Sequence, residues 1–398
     1  MVAATTVRAV NDITGRWARA AVGERGTVLT AAGVWPLQAL LAGPAAGPAR
    51  AELAAALGLD AEHAPREGRD LLAACRAAEG VDAAVGLWTR RSLALRPDWL
   101  AGLPPGSHGE LTGDAGADEE AMHAWARRHT DGLIERMPAR VDPETLLVLA
   151  SALLVRTTWQ EPFGEYPLRV VEGPWAGREL TGLGRSGTNA EQVRVHTTPA
   201  GPLTAVEVAG DSGLDVHLLL GPPDMSGGAV LSHGVAALAG AYATVSGAGL
   251  AEGAGPGLGV TTVPSEDGVA RVQLTAARFT VDAEHDLLER AELFGLAAAS
   301  DTSRGHFPGI SEQPLAVSAA RQSATATFGP LGFRAAAVTV VPAAAGSVPR
   351  TPPHRALCVS ARYDRPFGFL AVHRASGLVL VAGWVTDPDL WPGFAAAW

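Results

Sequence analysis

Apolar residues recur at helical spacing through the first eighty positions, predicting helices over 7–23, 34–43, 49–58 and 70–80 separated by Gly/Pro turns. A strand-like run, DAAVGLWTRR, follows. Residues 117–137 alternate acids early with arginines late, the charge order that suits a helix dipole, and predict one long amphipathic helix. The stretch 145–159 is apolar for too long to be a half-exposed strand, which places it in a sheet covered on both faces. Beyond residue 190 short runs at 203–209, 214–220, 270–282, 315–328, 356–362, 367–373 and 378–385 read as strands, with helices near 229–242 and 284–295. Helices early and strands late predict an α+β fold. The Gly-rich stretch 247–259 reads as a loop, and its glycines lack the spacing of a phosphate-binding turn.

Composition narrows the chemistry. The chain has 398 residues, 47% apolar and 18% charged, a balance that folds and buries a large core. All 31 basic residues are arginine, and asparagine occurs only at Asn11 and Asn189. Lys and Asn codons are AT-rich, so a GC-rich source accounts for both absences. Whatever the origin, a chain without lysine has no internal aldimine, no Schiff-base aldolase chemistry, no Ser/Lys dyad and no P-loop lysine. A net charge of -10 argues against nucleic acid and anionic membrane surfaces as partners. Cys75 and Cys358 are too few for a disulfide framework or zinc site, and both read as buried thiols; no cofactor or metal is expected. The N-terminal segment interrupts its apolar residues with Arg and Asp, reading as an amphipathic helix and not a signal peptide. The expectation is a soluble, cytoplasmic monomer, with secretion open had a leader been removed.

Three features resemble sites and read better as structure. Gly210-Asp211-Ser212-Gly213 matches the nucleophile segment of trypsin-like proteases, but between two strand-like runs it predicts a hairpin turn. The histidines show no metal-ligand spacing. The acids Asp114, Asp118, Glu119 and Glu120 suit the solvated start of a helix.

The C-terminal third carries the informative pattern. An alternating run, LAVSAARQSATATFGPLG, leads into FRAAAVTVV, a Pro/Ala/Gly/Ser-rich segment at 342–354, and two apolar strands. Arg365-Pro366-Phe367, an apolar strand, then Gly383-x-Val385-x-x-Pro388 resemble the closing pattern of the serpin family. Trp159 with Pro162 and Phe163 resembles the family's central strand and its closing tryptophan, and Trp125, Thr130, Gly132 and Ile134 resemble a family helix. The opening TVLTAAGVWPLQALLAG and the ARAELAAALG after it agree as well, so the resemblance runs over roughly residues 8–390 and is to a bacterial-type serpin with a divergent hinge and shutter.

That resemblance implies a single domain over 1–398, with three β-sheets, a helical cap and an exposed reactive-centre loop and hinge within 329–363. In inhibitory serpins a protease cuts the loop as substrate, and the acylated loop inserts as an extra strand of the central sheet, deforming the protease. Side chains at every second position must then enter the interior, here Phe333, Ala335, Ala337, Thr339, Val341, Ala343 and Ala345. Ala336 and Val338 alternate with them. Family spacing from Gly332 puts the scissile bond at Gly346–Ser347, implying an elastase-like or subtilisin-like target, with Arg350 as a trypsin-like alternative.

Several residues depart from the family. Phe333 stands where inhibitory members carry Thr or Ser, and overpacking an interior costs about 1–3 kcal/mol unless neighbours make room. Pro330 replaces an acid whose basic counterpart is Arg278, Arg334 replaces a Glu, and Pro342 removes a strand N–H. The polar cluster beneath the sheet corresponds to Gly33, Ser151 and Gln322. Two readings therefore stay open: a suicide-substrate protease inhibitor, or a serpin scaffold turned to small-molecule or peptide binding or to catalysis, for which no acid/base pair or nucleophile is evident.

Overall fold

The computed structural model describes residues 2–132, 135–137, 141–142, 144–333 and 354–393. Helices crowd the first third because its apolar positions recur every three or four residues. In Ala4–Ala21 the buried face is Thr6, Val7, Val10, Ile13, Thr14, Trp17 and Ala18. Helix Ala31–Ala42 starts where Thr30 accepts the Gly33 N–H on its hydroxyl (3.1 Å) and is buried along its whole length.

Three sheets carry the rest. One has seven strands in the order Thr27–Leu29, Leu378–Val385, Phe367–His373, Leu214–Leu220, Gly201–Ala209, Val193–Thr198, Thr244–Ser246. Helix Gly227–Leu238 lies across it. A five-stranded sheet runs Leu258–Ser265, His354–Tyr363, Arg271–Ala277, Glu179–Gly187, Gly164–Arg169. The central sheet begins His108–Leu111, Val81–Arg90, Leu147–Val155, Ala319–Phe328, with Phe279–Asp286 on the far side of Ala319–Phe328. The short strands Gly332–Phe333 and Thr157–Thr158 complete it. Every residue of Leu147–Val155 is buried, as its unbroken apolarity requires.

The structure moves several boundaries. The long helix predicted over 117–137 is Ala115–His129; Asp131 (φ 48°) and Gly132 (φ 79°) take left-handed conformations that end it. The run 284–295 is not one helix. Strand Phe279–Asp286 extends through its start, and only a 3-10 turn, Leu287–Arg290, and a single turn, Ala291–Phe294, follow. Its two arms read as helix because acids and apolars sit three and four apart, but pairing with Ala319–Phe328 overrides that pattern. The run 270–282 is two strands divided at Arg278, and strands Gly164–Arg169 and Glu179–Gly187 precede residue 190, where the sequence pattern turns mostly β. Cys75 is buried, and burial pushes its thiol up to about 12; Cys358 is only half-buried, on strand His354–Tyr363, against the expectation of two buried thiols. Among the described residues no helix is long and apolar enough to cross a membrane.

Candidate functional site at the central-sheet seam

Strands Leu147–Val155 and Ala319–Phe328 run parallel as neighbours, yet they are in register over only four pairs, Ala319 with Val148 through Gln322 with Ser151. Beyond Gln322 the strand stays paired to Phe279–Asp286 on its other side. At the far end Gly332–Phe333 occupies the gap: Phe333 pairs with Phe328 on one side and Thr157 on the other, and Gly332 with Thr158. The sheet is thus closed at one end, wedged at the other and unzipped between.

The wedge is held by the turn that precedes it. Gly329 N–H donates to the Gly332 carbonyl (3.0 Å), Trp159 N–H to Leu331 (2.9 Å) and Phe163 N–H to Pro330 (2.8 Å). The buried Trp159 indole donates to the Gly329 carbonyl (2.9 Å). Sequence reasoning names Trp159 and Pro330 but not this exchange, since backbone partners leave no mark on composition. Phe333 is 2% exposed, its ring 5.9 Å from that of Phe369. Phe369 in turn packs on Phe279 (5.0 Å), and Phe279 stacks on Phe328 (5.6 Å). A pocket of phenylalanines receives the side chain, which is how the interior takes a ring there.

Arg278 does not face Pro330 as an orphaned partner. Its Nη1 donates to Glu165 (3.0 Å) and its Nε lies 3.0 Å from the Asp389 carboxylate, so two acids take the place of the missing one.

At the closed end Gln322, fully buried, grips the residue before helix Ala31–Ala42. Its Nε2 donates to the Thr30 carbonyl (2.9 Å) and its Oε1 accepts from the Thr30 N–H (3.1 Å). A Cβ at Gly33 would lie 3.5 Å from the Ser151 hydroxyl, which is buried and, among the described residues, without a hydrogen-bond partner; so is that of Ser323, one residue past Gln322. His285, opposite Gln322 in register, donates through Nε2 to the Val28 carbonyl (2.9 Å), and burial lowers its pKa. The structure places Gly33, Ser151 and Gln322 beside one another, together with Thr30 and His285, which sequence reasoning does not name. Thr30 carried a legible N-cap signal; His285 was hidden by the helix expected there.

The Gly210–Gly213 segment is the hairpin turn between strands Gly201–Ala209 and Leu214–Leu220, with Gly213 at φ 72°. Ser212 donates to the Thr157 hydroxyl (2.9 Å), a structural tie at the end of the seam.

The family model described as serpin, serine protease inhibitor, matches residues 15–169 and 261–388, most of the chain and both walls of this seam. The chain belongs to the serpin family. Solved serpins share its fold from end to end. Thyroxine-binding globulin in complex with thyroxine superposes with a TM-score of 0.72 at 14% identity, covering 97% of this chain and 99% of the other. Native protease nexin-1 with heparin gives 0.71 at 16%, covering 96% and 98%. A serpin from the trematode Schistosoma haematobium gives 0.70 at 14%, covering 96% and 100%. No curated protein matches this serpin at the sequence level.

The expected remainder of the hinge and loop, Arg334, Ala335, Ala336, Ala337, Val338, Thr339, Gly346, Ser347 and Arg350, lies outside the described residues.

Proposed function

We propose that this serpin inhibits a serine protease as a suicide substrate, its loop being cut near Gly346–Ser347 and inserting between strands Leu147–Val155 and Ala319–Phe328. One observation carries the reading: the two strands pair over only four residues, while Gly332–Phe333 already sits between them at the other end. Among the described residues, the buried Ser151 and Ser323 hydroxyls beside that seam have no hydrogen-bond partner. Small residues on either side of Gly346 favour an elastase-like or subtilisin-like target; Arg350 is the trypsin-like alternative. Incubation with elastase, subtilisin and trypsin followed by a denaturing gel tests this. A covalent adduct is expected with at least one of them; cleavage without adduct contradicts it.

A second reading keeps the scaffold and drops insertion, leaving a carrier of small molecules or peptides. It is favoured by the likeness to a globulin solved with thyroxine.

A further inference from the structure

Residues 160–163 cross from the central sheet to strand Gly164–Arg169 of the five-stranded sheet. The crossing is pinned at both ends: Gln160 N–H donates to the Ala209 carbonyl (3.1 Å) and Phe163 N–H to that of Pro330 (2.8 Å). Between it and strands Glu179–Gly187 and Arg271–Ala277 lies a cavity of about 990 Å³, open to solvent and at the upper end of the range for ligand sites.

Two opposite charges line this cavity, Arg185 and Glu161, and neither has an ion-pair partner among the described residues. Arg185 is half-buried, its guanidinium 4.8 Å over the Phe163 ring. Its Nη1 donates to the Glu161 backbone carbonyl (2.9 Å) and its Nη2 to the Gln192 side-chain oxygen (3.3 Å). These neutral oxygens hold the group in place and leave its charge unanswered, with N–H groups to spare. Burial lowers the pKa of the guanidinium, and the Glu161 charge works against that shift. The Glu161 carboxylate lies further along the same strand: its Oε2 is 3.2 Å from where a Cβ on Gly187 would stand, on the side of the strand to which Arg185 also points. Around the two charges, Pro162, Leu274 and Leu331 supply apolar surface, and Gln160, Ser186 and Gln273 supply amides and a hydroxyl.

We propose that this cavity is a binding site for a free α-amino acid with a large apolar side chain, its carboxylate on Arg185, its ammonium on Glu161 and its side chain against Pro162, Leu274 and Leu331. A zwitterion answers both charges at once. A simple carboxylate would satisfy Arg185 but bring a second negative charge beside Glu161, and a simple amine would meet Glu161 but face the guanidinium. A dianion such as phosphate is opposed by the same acid with only one cation to hold it. A metal ion is disfavoured because no group of three ligating side chains converges among the described residues. The site goes beyond the inhibitor reading and does not depend on whether the loop inserts.

Calorimetric titration of the full chain at neutral pH with L-phenylalanine tests it. N-acetyl-L-phenylalanine lacks the ammonium, L-phenylalanine amide lacks the carboxylate and glycine lacks the side chain. The expected result is saturable one-to-one binding of L-phenylalanine at about 0.3–3 mM, with each of the other three at least about fivefold weaker. Arg185→Gln is expected to weaken L-phenylalanine about tenfold and to abolish its advantage over the amide. Glu161→Gln is expected to abolish its advantage over the N-acetyl derivative, because the acid no longer reads the ammonium. Should Arg185→Gln fail to fold, Glu161→Gln, at an exposed position, decides alone. No saturation by ~30 mM, glycine binding as tightly, or an order of the four probes that Glu161→Gln leaves unaltered overturns the site. The same protein run on the protease gel reports loop behaviour separately, so a failed titration leaves the inhibitor reading untouched.

Discussion

Gln322 holds Thr30 by both backbone groups, accepting its N–H at 3.1 Å and donating to its carbonyl at 2.9 Å. This ties strand Ala319–Phe328 to the start of helix Ala31–Ala42 at the point where the seam stops being zipped. Thr30's carbonyl also receives the Gly33 N–H (3.2 Å), whereas its N–H depends on Gln322. Gln322→Leu therefore strands a buried donor, and the expected loss of stability is about 2–3 kcal/mol, read as a lower urea midpoint. An unchanged midpoint contradicts the role given to the clasp.

Gly332 sits so close to the other wall that a Cβ there would meet the Thr157 carbonyl oxygen. Gly332→Ala is expected to push the wedge from the seam at a cost of about 1–3 kcal/mol. If insertion passes this point, that penalty shifts the partition from adduct toward plain cleavage by roughly five- to a hundredfold. Densitometry of adduct and cleaved product measures the ratio, and an unaltered ratio excludes the wedge from the insertion path.

Phe333→Ala empties the phenylalanine pocket formed with Phe369. The intact protein should lose about 3–5 kcal/mol, and the Pro330–Phe333 segment should become a faster site of limited proteolysis. A surface role for Phe333 predicts neither change.

Six histidines, His108, His129, His196, His217, His233 and His285, have pKa values lowered, in each case first by burial. Their folded values lie below the unfolded value of 6.5, so the unfolded chain takes up protons first as pH falls. Their contribution is therefore complete above about pH 6.5 and declines as pH drops through that value toward the folded pKa values. The urea midpoint should be lower at about pH 5 than at about pH 8; an equal or higher midpoint at the acid end contradicts the burial of these imidazoles.

Much of the fold is legible because the chain is repetitive where it is buried: the helical spacing of Val10, Ile13 and Trp17 and the unbroken apolar run of Leu147–Val155 name their own elements. The seam is legible in part. Gly33, Ser151 and Gln322 could be gathered through family resemblance, but Thr30 enters the cluster by its backbone, which no side-chain pattern encodes. The same reason hides the grip of Trp159 and Phe163 on the carbonyls of residues 329–331. Phe333 reads from sequence as too large for its place. What makes room lies far away in the chain, at Phe369 and Phe279, whose convergence is a tertiary fact.

Whether the severed loop becomes a strand decides the inhibitor account most directly. Differential scanning calorimetry of the intact chain and of the chain nicked between Phe333 and His354 measures it. An inserted strand supplies backbone partners to both walls of the seam, so the nicked form should melt later than the intact form by roughly 10 °C or more. A nicked form that melts at or below the intact temperature contradicts it.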